Sequence, residues 1–288
     1  MFDKTLLDKC MLIKKIGSGA FGEVYMSKDK HNKLIATKIE EKNKVKRSRL
    51  EMEYKIYKKI HHSGKKIGIP DIYSFIETND YNIMTMELLG DSISNLHDEY
   101  DKKFDICTVL KIGIEIISLL EQIHKIGFIH RDIKPNNFLV DKDTKSQIYI
   151  MDFGLSKQYV DNTGKHIVYK TDRSLIGTAR YTSLNIHLGI EPSRRDDLES
   201  VGYMLIYLLN GSLPWQGLKK NNKKDIIGEV KMCTKISKLC KNIPICFEEY
   251  INYCRTLLFD SDPDYSLLKN LFLKYSEKNN LELKYMWL

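Results

Sequence analysis

His130-Arg131-Asp132-Ile133-Lys134-Pro135-Asn136-Asn137, followed at Asp152-Phe153-Gly154 by a second acidic residue between an apolar ring and a glycine, is the stretch that organises the chain. It combines a carboxylate able to take a proton (Asp132), a cation two residues on (Lys134), and oxygen donors for a hard divalent ion (Asn137 and Asp152). Phosphoryl transfer to a hydroxyl demands those parts. Alone, Asp132 reads as a helix cap or turn aspartate and Asp152 as a turn before glycine. Together the residues of this stretch supply all of those parts.

Upstream, residues 12–16, 23–28 and 34–40 read as three strands of an antiparallel meander, joined by a glycine turn and by a turn at 29–33. Residues 49–60 then place Leu50, Tyr54, Ile56, Tyr57 and Ile60 close to helical spacing, with Gly64 just beyond. Two more strands, 72–77 and 81–86, flank the turn Thr78-Asn79-Asp80, and Leu88-Leu89-Gly90 breaks the pattern. From about Ser92 the pattern is mainly helical, with apolar stripes over 109–127, 197–209 and 247–259 and a last helix over 265–275. The expectation is an α+β chain whose 288 residues fit one bilobal domain or two small ones. A small antiparallel lobe with one main helix (1–88) leads through a hinge (89–92) into a larger, mainly α-helical lobe (93–288).

Gly17-Ser18-Gly19-Ala20-Phe21-Gly22-Glu23-Val24 joins the first two strands. Three glycines let backbone amides approach a polyphosphate and permit positive φ, although the same pattern also fits a tight hairpin with no ligand. A strand rather than a helix follows, which disfavours a dinucleotide-binding loop. Lys38, at the end of the third strand, can reach phosphates from beneath that loop and needs a fixed anionic partner. Glu53 on the following helix is the candidate; Glu51, two positions away, points to a different face.

Glycine loop, strand lysine, helix glutamate, HRDxxxxN and DFG occur in the order of the eukaryotic protein kinases, which the chain resembles over nearly its whole length. Thr85-Met86-Glu87-Leu88-Leu89-Gly90, Gly177-Thr178-Ala179-Arg180-Tyr181, His187-Leu188-Gly189-Ile190-Glu191, Ser193-Arg194-Arg195-Asp196-Asp197-Leu198-Glu199-Ser200 and Gly211-Ser212-Leu213-Pro214-Trp215-Gln216-Gly217 resemble the casein kinase 1 family in particular. The resemblance implies a single protein kinase domain over 1–288, of bilobal fold, that uses ATP and Mg2+. Asp132 then orients the acceptor hydroxyl and takes its proton, Lys134 neutralises the transferring group, and Lys38 with Glu53 serves the phosphates. Asn137 and Asp152 hold the metal. Ile16, Gly17, Gly19, Gly22, Val24, Ala36, Met86 and Leu139 surround the nucleotide, whose adenine meets the backbone of Glu87 and Leu89. Val24, Ala36, Met86 and Leu139 also read as ordinary core residues. His130 is expected beneath the catalytic loop as a structural residue.

By the same resemblance Lys134 marks a serine/threonine kinase, and Thr178 ties the activation segment to Asp132 and Lys134. No proline lies between Pro135 and Pro192, so the usual Ala-Pro-Glu element is missing and Ser183-Leu184-Asn185 stands in its place. Arg131, Lys157, Arg173 and Arg180 match basic positions around the substrate groove, which implies protein substrates with acidic or phosphorylated residues upstream of the acceptor. The segment after Trp215 departs from the family, which has a lysine near the place of Ile226, and this puts strong priming by phosphate in doubt. Activity without activation-loop phosphorylation is expected. The alternative, a pseudokinase or scaffold, is opposed by the presence of Lys38, Asp132 and Asp152.

The composition, 42% hydrophobic and 29% charged over 288 residues, is that of a folded protein. A net charge of +8 suits nucleic acid, an anionic membrane surface or acidic proteins. The lysine-rich run 38–49 contains no aromatic residue and so no stacking platform, and no specific nucleic-acid partner is expected. Cys10, Cys107, Cys233, Cys240, Cys246 and Cys254 form no CxxC pair, which points to reduced thiols and a cytosolic or nuclear compartment. Asp3, Lys4, Asp8, Lys9, Lys14 and Lys15 break any signal-peptide core, the apolar run 201–209 is too short to span a bilayer, and no terminal prenylation cysteine is present. A monomer without a membrane anchor is expected.

Overall fold

The computed structural model describes residues 11–19, 22–44, 48–62, 68–217 and 223–288, and the side chains of 223–225 lie outside that description. The described residues up to Gly90, together with Leu139–Gly154, form one compact unit; Asp91–Phe138 with Leu155–Leu288 form the other.

The first unit is built on a five-stranded antiparallel sheet in the order β1-β2-β3-β5-β4. Its strands are β1 (Met11–Gly19), β2 (Gly22–Lys28), β3 (Leu34–Glu41), β4 (Ile72–Glu77) and β5 (Tyr81–Glu87). The expected meander is present, and the second hairpin joins it through β5, which pairs with β3 and leaves β4 at the edge. One helix, α1 (Arg49–His62), accompanies the sheet and buries Leu50, Glu53, Ile56, Tyr57 and Ile60, a stripe at helical spacing. Gly64, expected just past its end, lies outside the described residues.

In the second unit the long stripes become α3 (Ile106–Lys125), α5 (Arg194–Asn210), α8 (Ile245–Thr256) and α9 (Tyr265–Lys278). Helix α3 packs on α5 and α9, and α8 on both α5 and α9. Tyr250 and Phe272 stack at 5.4 Å in the α8–α9 contact. Asp105 begins α3 by accepting the Thr108 amide at 2.7 Å. At the start of α5 the Asp196 carboxylate accepts the Ser193 amide at 2.7 Å.

Shorter elements escaped the pattern: strands β6 (Phe128–Ile129), β7 (Phe138–Val140), β8 (Ile148–Ile150) and β9 (Lys157–Gln158), and helices α2 (Ile93–Glu99), α4 (Leu184–His187), α6 (Lys223–Cys233) and α7 (Ile236–Leu239). Strands of two or three residues are too short to show a period. Cys107, Cys233, Cys240, Cys246 and Cys254 are free thiols, and Cys10 lies outside the described residues. Among the described residues no helix is long and apolar enough to cross a membrane.

Candidate active site

Strand register decides which side chains of the first unit share a face. Val24 lies opposite Lys38, and Ala36 lies opposite both Met26 and Met86. Side chains two apart on a strand point the same way. Val24, Ala36, Lys38 and Met86 therefore occupy one face, while Tyr25, Ile35, Ile39 and Ile83 form an apolar cluster on the other. Leu89 is buried and Leu139, on β7, half-buried. Ile16 sits at a register shift of β1 and is exposed, and the Glu87 amide is engaged by the Asp71 carbonyl at 2.8 Å.

The glycines of the first hairpin divide by physical role. Strand pairing runs to the tip, Gly17 against Val24 and Gly19 against Gly22, and Ala20-Phe21 lie outside the described residues. Gly22 has φ +137°, and a Cβ there would come within 2.2 Å of the Ile39 carbonyl oxygen, so the sheet itself demands glycine. Gly17 and Gly19 have neither a positive φ nor a clashing neighbour. The fold makes no such demand on those two.

Lys38 Nζ meets Glu53 Oε2 at 2.7 Å and Asp152 Oδ1 at 3.0 Å. Glu51, the competing carboxylate, pairs instead with Lys55 on the helix surface. The helix is set against its strand by Glu40, also on β3, whose buried carboxylate accepts the amides of Arg49 (2.9 Å) and Leu50 (3.1 Å). Glu40 thereby satisfies orphan donors at the start of α1 and places Glu53 within reach of Lys38. Burial alone would lower the Lys38 amine, but Glu53 and Asp152 hold it above its ordinary value. Burial pushes the Glu53 carboxyl up to about 7 against the pull of Lys38. Asp152 has a left-handed φ of 63°. Such backbone costs ~1–3 kcal/mol in a non-glycine residue and persists where its surroundings enforce it. The next residue does so here: Phe153 is wholly buried, edge-on to Tyr57 at 5.0 Å.

The second unit assembles the HRD loop. Asp132 Oδ1 accepts Thr178 Oγ1 at 2.8 Å, and Oδ2 meets Lys134 Nζ at 2.6 Å. Asn137 donates Nδ2 to the Asp132 carbonyl at 2.8 Å, which leaves its carboxamide oxygen as the hard donor a magnesium ion prefers. His130 is fully buried, and its Nδ1 accepts the Asp132 amide at 3.3 Å.

The loop hangs from Asp197 in the first turn of α5. Its Oδ2 accepts the His130 amide (2.7 Å) and pairs with His124 Nε2 (2.9 Å), and its Oδ1 accepts the Arg131 amide (2.8 Å). Burial would raise this carboxyl, but His124 and the backbone donors hold it below its ordinary value. Arg131 takes a left-handed φ of 68° under that constraint. Gly177, with φ +85°, lies so close that a Cβ would approach the Arg131 carbonyl oxygen to 2.4 Å. In place of Ala-Pro-Glu, Ser183 Oγ donates to Asp196 at 2.6 Å and the Leu184 amide donates to Glu199 at 3.2 Å.

The four expected anion-binding residues separate into two groups. Lys157 Nζ and Arg173 Nε converge on one carboxylate, Glu191, at 2.7 and 2.8 Å. Glu191 is 2% exposed; burial would raise it, yet Lys157, Arg173 and Arg131 hold it below its ordinary value. Arg180 lies instead over the rings of Tyr181 and Tyr207. Sequence reasoning assigned no role to Asp197 or Glu191, though both stand in the quoted motifs. Two adjacent carboxylates heading an apolar helix were the available signal for Asp197.

The first unit therefore holds a lysine between two carboxylates, and the second an aspartate engaged by a lysine and a threonine. The sequence profile of the Protein kinase domain family matches residues 11–278, a span that includes both clusters, and the chain belongs to that family.

Proposed function

We propose that the protein is a serine/threonine protein kinase of the casein kinase 1 type, transferring the γ-phosphoryl group of ATP to hydroxyls of acidic or phosphate-primed protein substrates. The observation that carries this reading is the environment of Asp132, whose two oxygens are engaged by Thr178 at 2.8 Å and Lys134 at 2.6 Å. A carboxylate so held is oriented to accept a proton from an incoming hydroxyl as its oxygen bonds to phosphorus and ADP leaves. Lys134 supplies positive charge for the moving phosphoryl group. Lys38, fixed by Glu53 and Asp152, serves the nucleotide phosphates, and the Leu89 backbone and Glu87 carbonyl serve adenine.

Asp152 and the Asn137 carboxamide oxygen are the residues that would hold Mg2+, which when bound neutralises phosphate charge. Activity without activation-loop phosphorylation is supported by the contacts of that segment. The Thr178–Asp132 hydrogen bond is made, and Ser183 and Leu184 are tied to Asp196 and Glu199 by side-chain contacts of the chain itself. The anion preference rests on Arg131, Lys157, Arg173 and Arg180, with Glu191 as a built-in competitor for two of them.

Radiolabelled phosphate transfer to matched serine, threonine and tyrosine peptides, acidic or phosphoserine-primed, tests the reading with Asp132→Asn as control. Label on serine and threonine that disappears in the variant is expected. Equal incorporation by both proteins, or label confined to tyrosine, rejects it.

A further inference from the structure

The turn that carries Thr178 is held from outside by side chains that the phosphoryl-transfer roles leave unused. Lys231, on α6, is wholly buried. Its Nζ donates to the carbonyls of Ala179 at 2.9 Å and Thr182 at 2.5 Å. Trp215 Nε1 donates to the carbonyl between them, that of Arg180, at 2.7 Å. The lysine amino group lies 4.9 Å over the ring of Tyr203 and 5.1 Å over that of Trp215.

A buried amino group is a costly choice for filling space, since an apolar side chain of similar volume needs no desolvation. What lysine adds at this position is its N–H donors, and either charge state supplies at least two of them. The acceptors belong to a continuous turn. The amides of Tyr181 and Thr182 donate to the Thr178 carbonyl at 2.9 and 3.1 Å, and Thr182 Oγ1 donates to the same oxygen at 2.9 Å. Thr178 in turn places its hydroxyl on Asp132. The clamp reaches the proton-accepting carboxylate through one turn of backbone.

We propose that Lys231 is a positioning residue for phosphoryl transfer: its amino group clamps the carbonyls of Ala179 and Thr182 and so keeps the Thr178 turn, and the backbone beside which an acceptor binds, in register with Asp132. The inference rests on the roles proposed above for Asp132 and Thr178. Helix α6 packs on α4, which follows the same turn, and His187 of α4 has its ring Nε2 3.3 Å from the Ala179 carbonyl. The lysine is the group that donates to both carbonyls, at the two ends of the turn.

Lys231→Met removes both donors with little change of volume, and Lys231→Arg restores donors. Three quantities are measured on the full chain: affinity for a fluorescent ATP analogue, kcat and KM for an accepted peptide, and thermal stability. For Lys231→Met we expect nucleotide affinity within about twofold of wild type, a melting temperature that does not fall, and peptide kcat/KM reduced about tenfold by misplacement of the acceptor turn. Lys231→Arg recovers most of the loss. Wild-type turnover by a folded Lys231→Met protein overturns the proposal, as does turnover lost only in proportion to lost nucleotide binding. If Lys231→Met yields no folded protein, Lys231→Gln, which keeps a donor at shorter reach, takes its place with the same expectation. Failure of both to fold counts against the proposal, because it makes the residue structural. Asp132→Asn runs alongside. If that variant turns over like wild type, the kinase reading fails; if it is inactive while Lys231→Met is normal, only the clamp fails.

Discussion

Glu191→Gln removes the carboxylate on which Lys157 and Arg173 converge at 2.7 and 2.8 Å. A substrate anion using the outer faces of the same two cations would sit across them from Glu191, at about twice the contact distance. Two unit charges ~6 Å apart at an effective dielectric of ~40–80 repel by about 1 kcal/mol. At physiological salt the ~8 Å screening length leaves roughly half of that. Removing Glu191 should then improve kcat/KM about twofold for a carboxylate at the upstream position and about fivefold for a phosphate dianion, at ~1.4 kcal/mol per factor of ten. Glu191 is itself buried, but the cations it leaves behind are 32% and 46% exposed and can be hydrated, so the stability cost of the variant should stay near ~1–2 kcal/mol. The assay is steady-state kinetics on three peptides that differ only in serine, aspartate or phosphoserine upstream of the acceptor, at two salt concentrations. Gains ordered phosphoserine above aspartate above serine, and shrinking with salt, are expected. A wild-type enzyme that prefers phosphoserine while Glu191→Gln leaves that preference unchanged or weaker would refute the competition.

Gly177→Ala forces a Cβ toward the Arg131 carbonyl oxygen at φ +85°; strain plus overpacking should cost about 2–4 kcal/mol in urea unfolding, with turnover falling as the HRD loop shifts. Asp197→Asn turns an amide NH2 toward donors that now find a carboxylate oxygen. A loss of about 2–3 kcal/mol is expected, and kcat should drop more than tenfold although Asp132 is intact. Burial lowers the Lys231 amine from 10.5 to about 7, with the Glu199 carboxylate opposing and Arg255 reinforcing the shift. Between those values the unfolded chain holds a proton the folded chain lacks, so stability rises with pH across that window. Wild type should gain on Lys231→Met by at most about 1.4 kcal/mol per pH unit from 7.5 to 9.5. A difference independent of pH in paired urea titrations would contradict that account.

The sequence by itself determined the elements long enough to show a period and the residues whose chemistry needs a neighbour close in the chain. Alternating strands, the helix carrying Glu53 and the four long C-terminal helices were legible because side-chain periodicity is a local property. So was the choice of Glu53 over Glu51, since two positions on a helix turn a side chain to another face. Only the tertiary structure decided what the charges do. Glu191 neutralises cations 34 and 18 positions before it, and Asp197 takes amides more than 60 positions earlier. Lys231 reaches carbonyls about 50 positions upstream. A basic or acidic residue carries the same symbol whether solvated, paired or buried. Which it becomes depends on desolvation and on partners that chain folding brings together, and neither is written in the residues beside it.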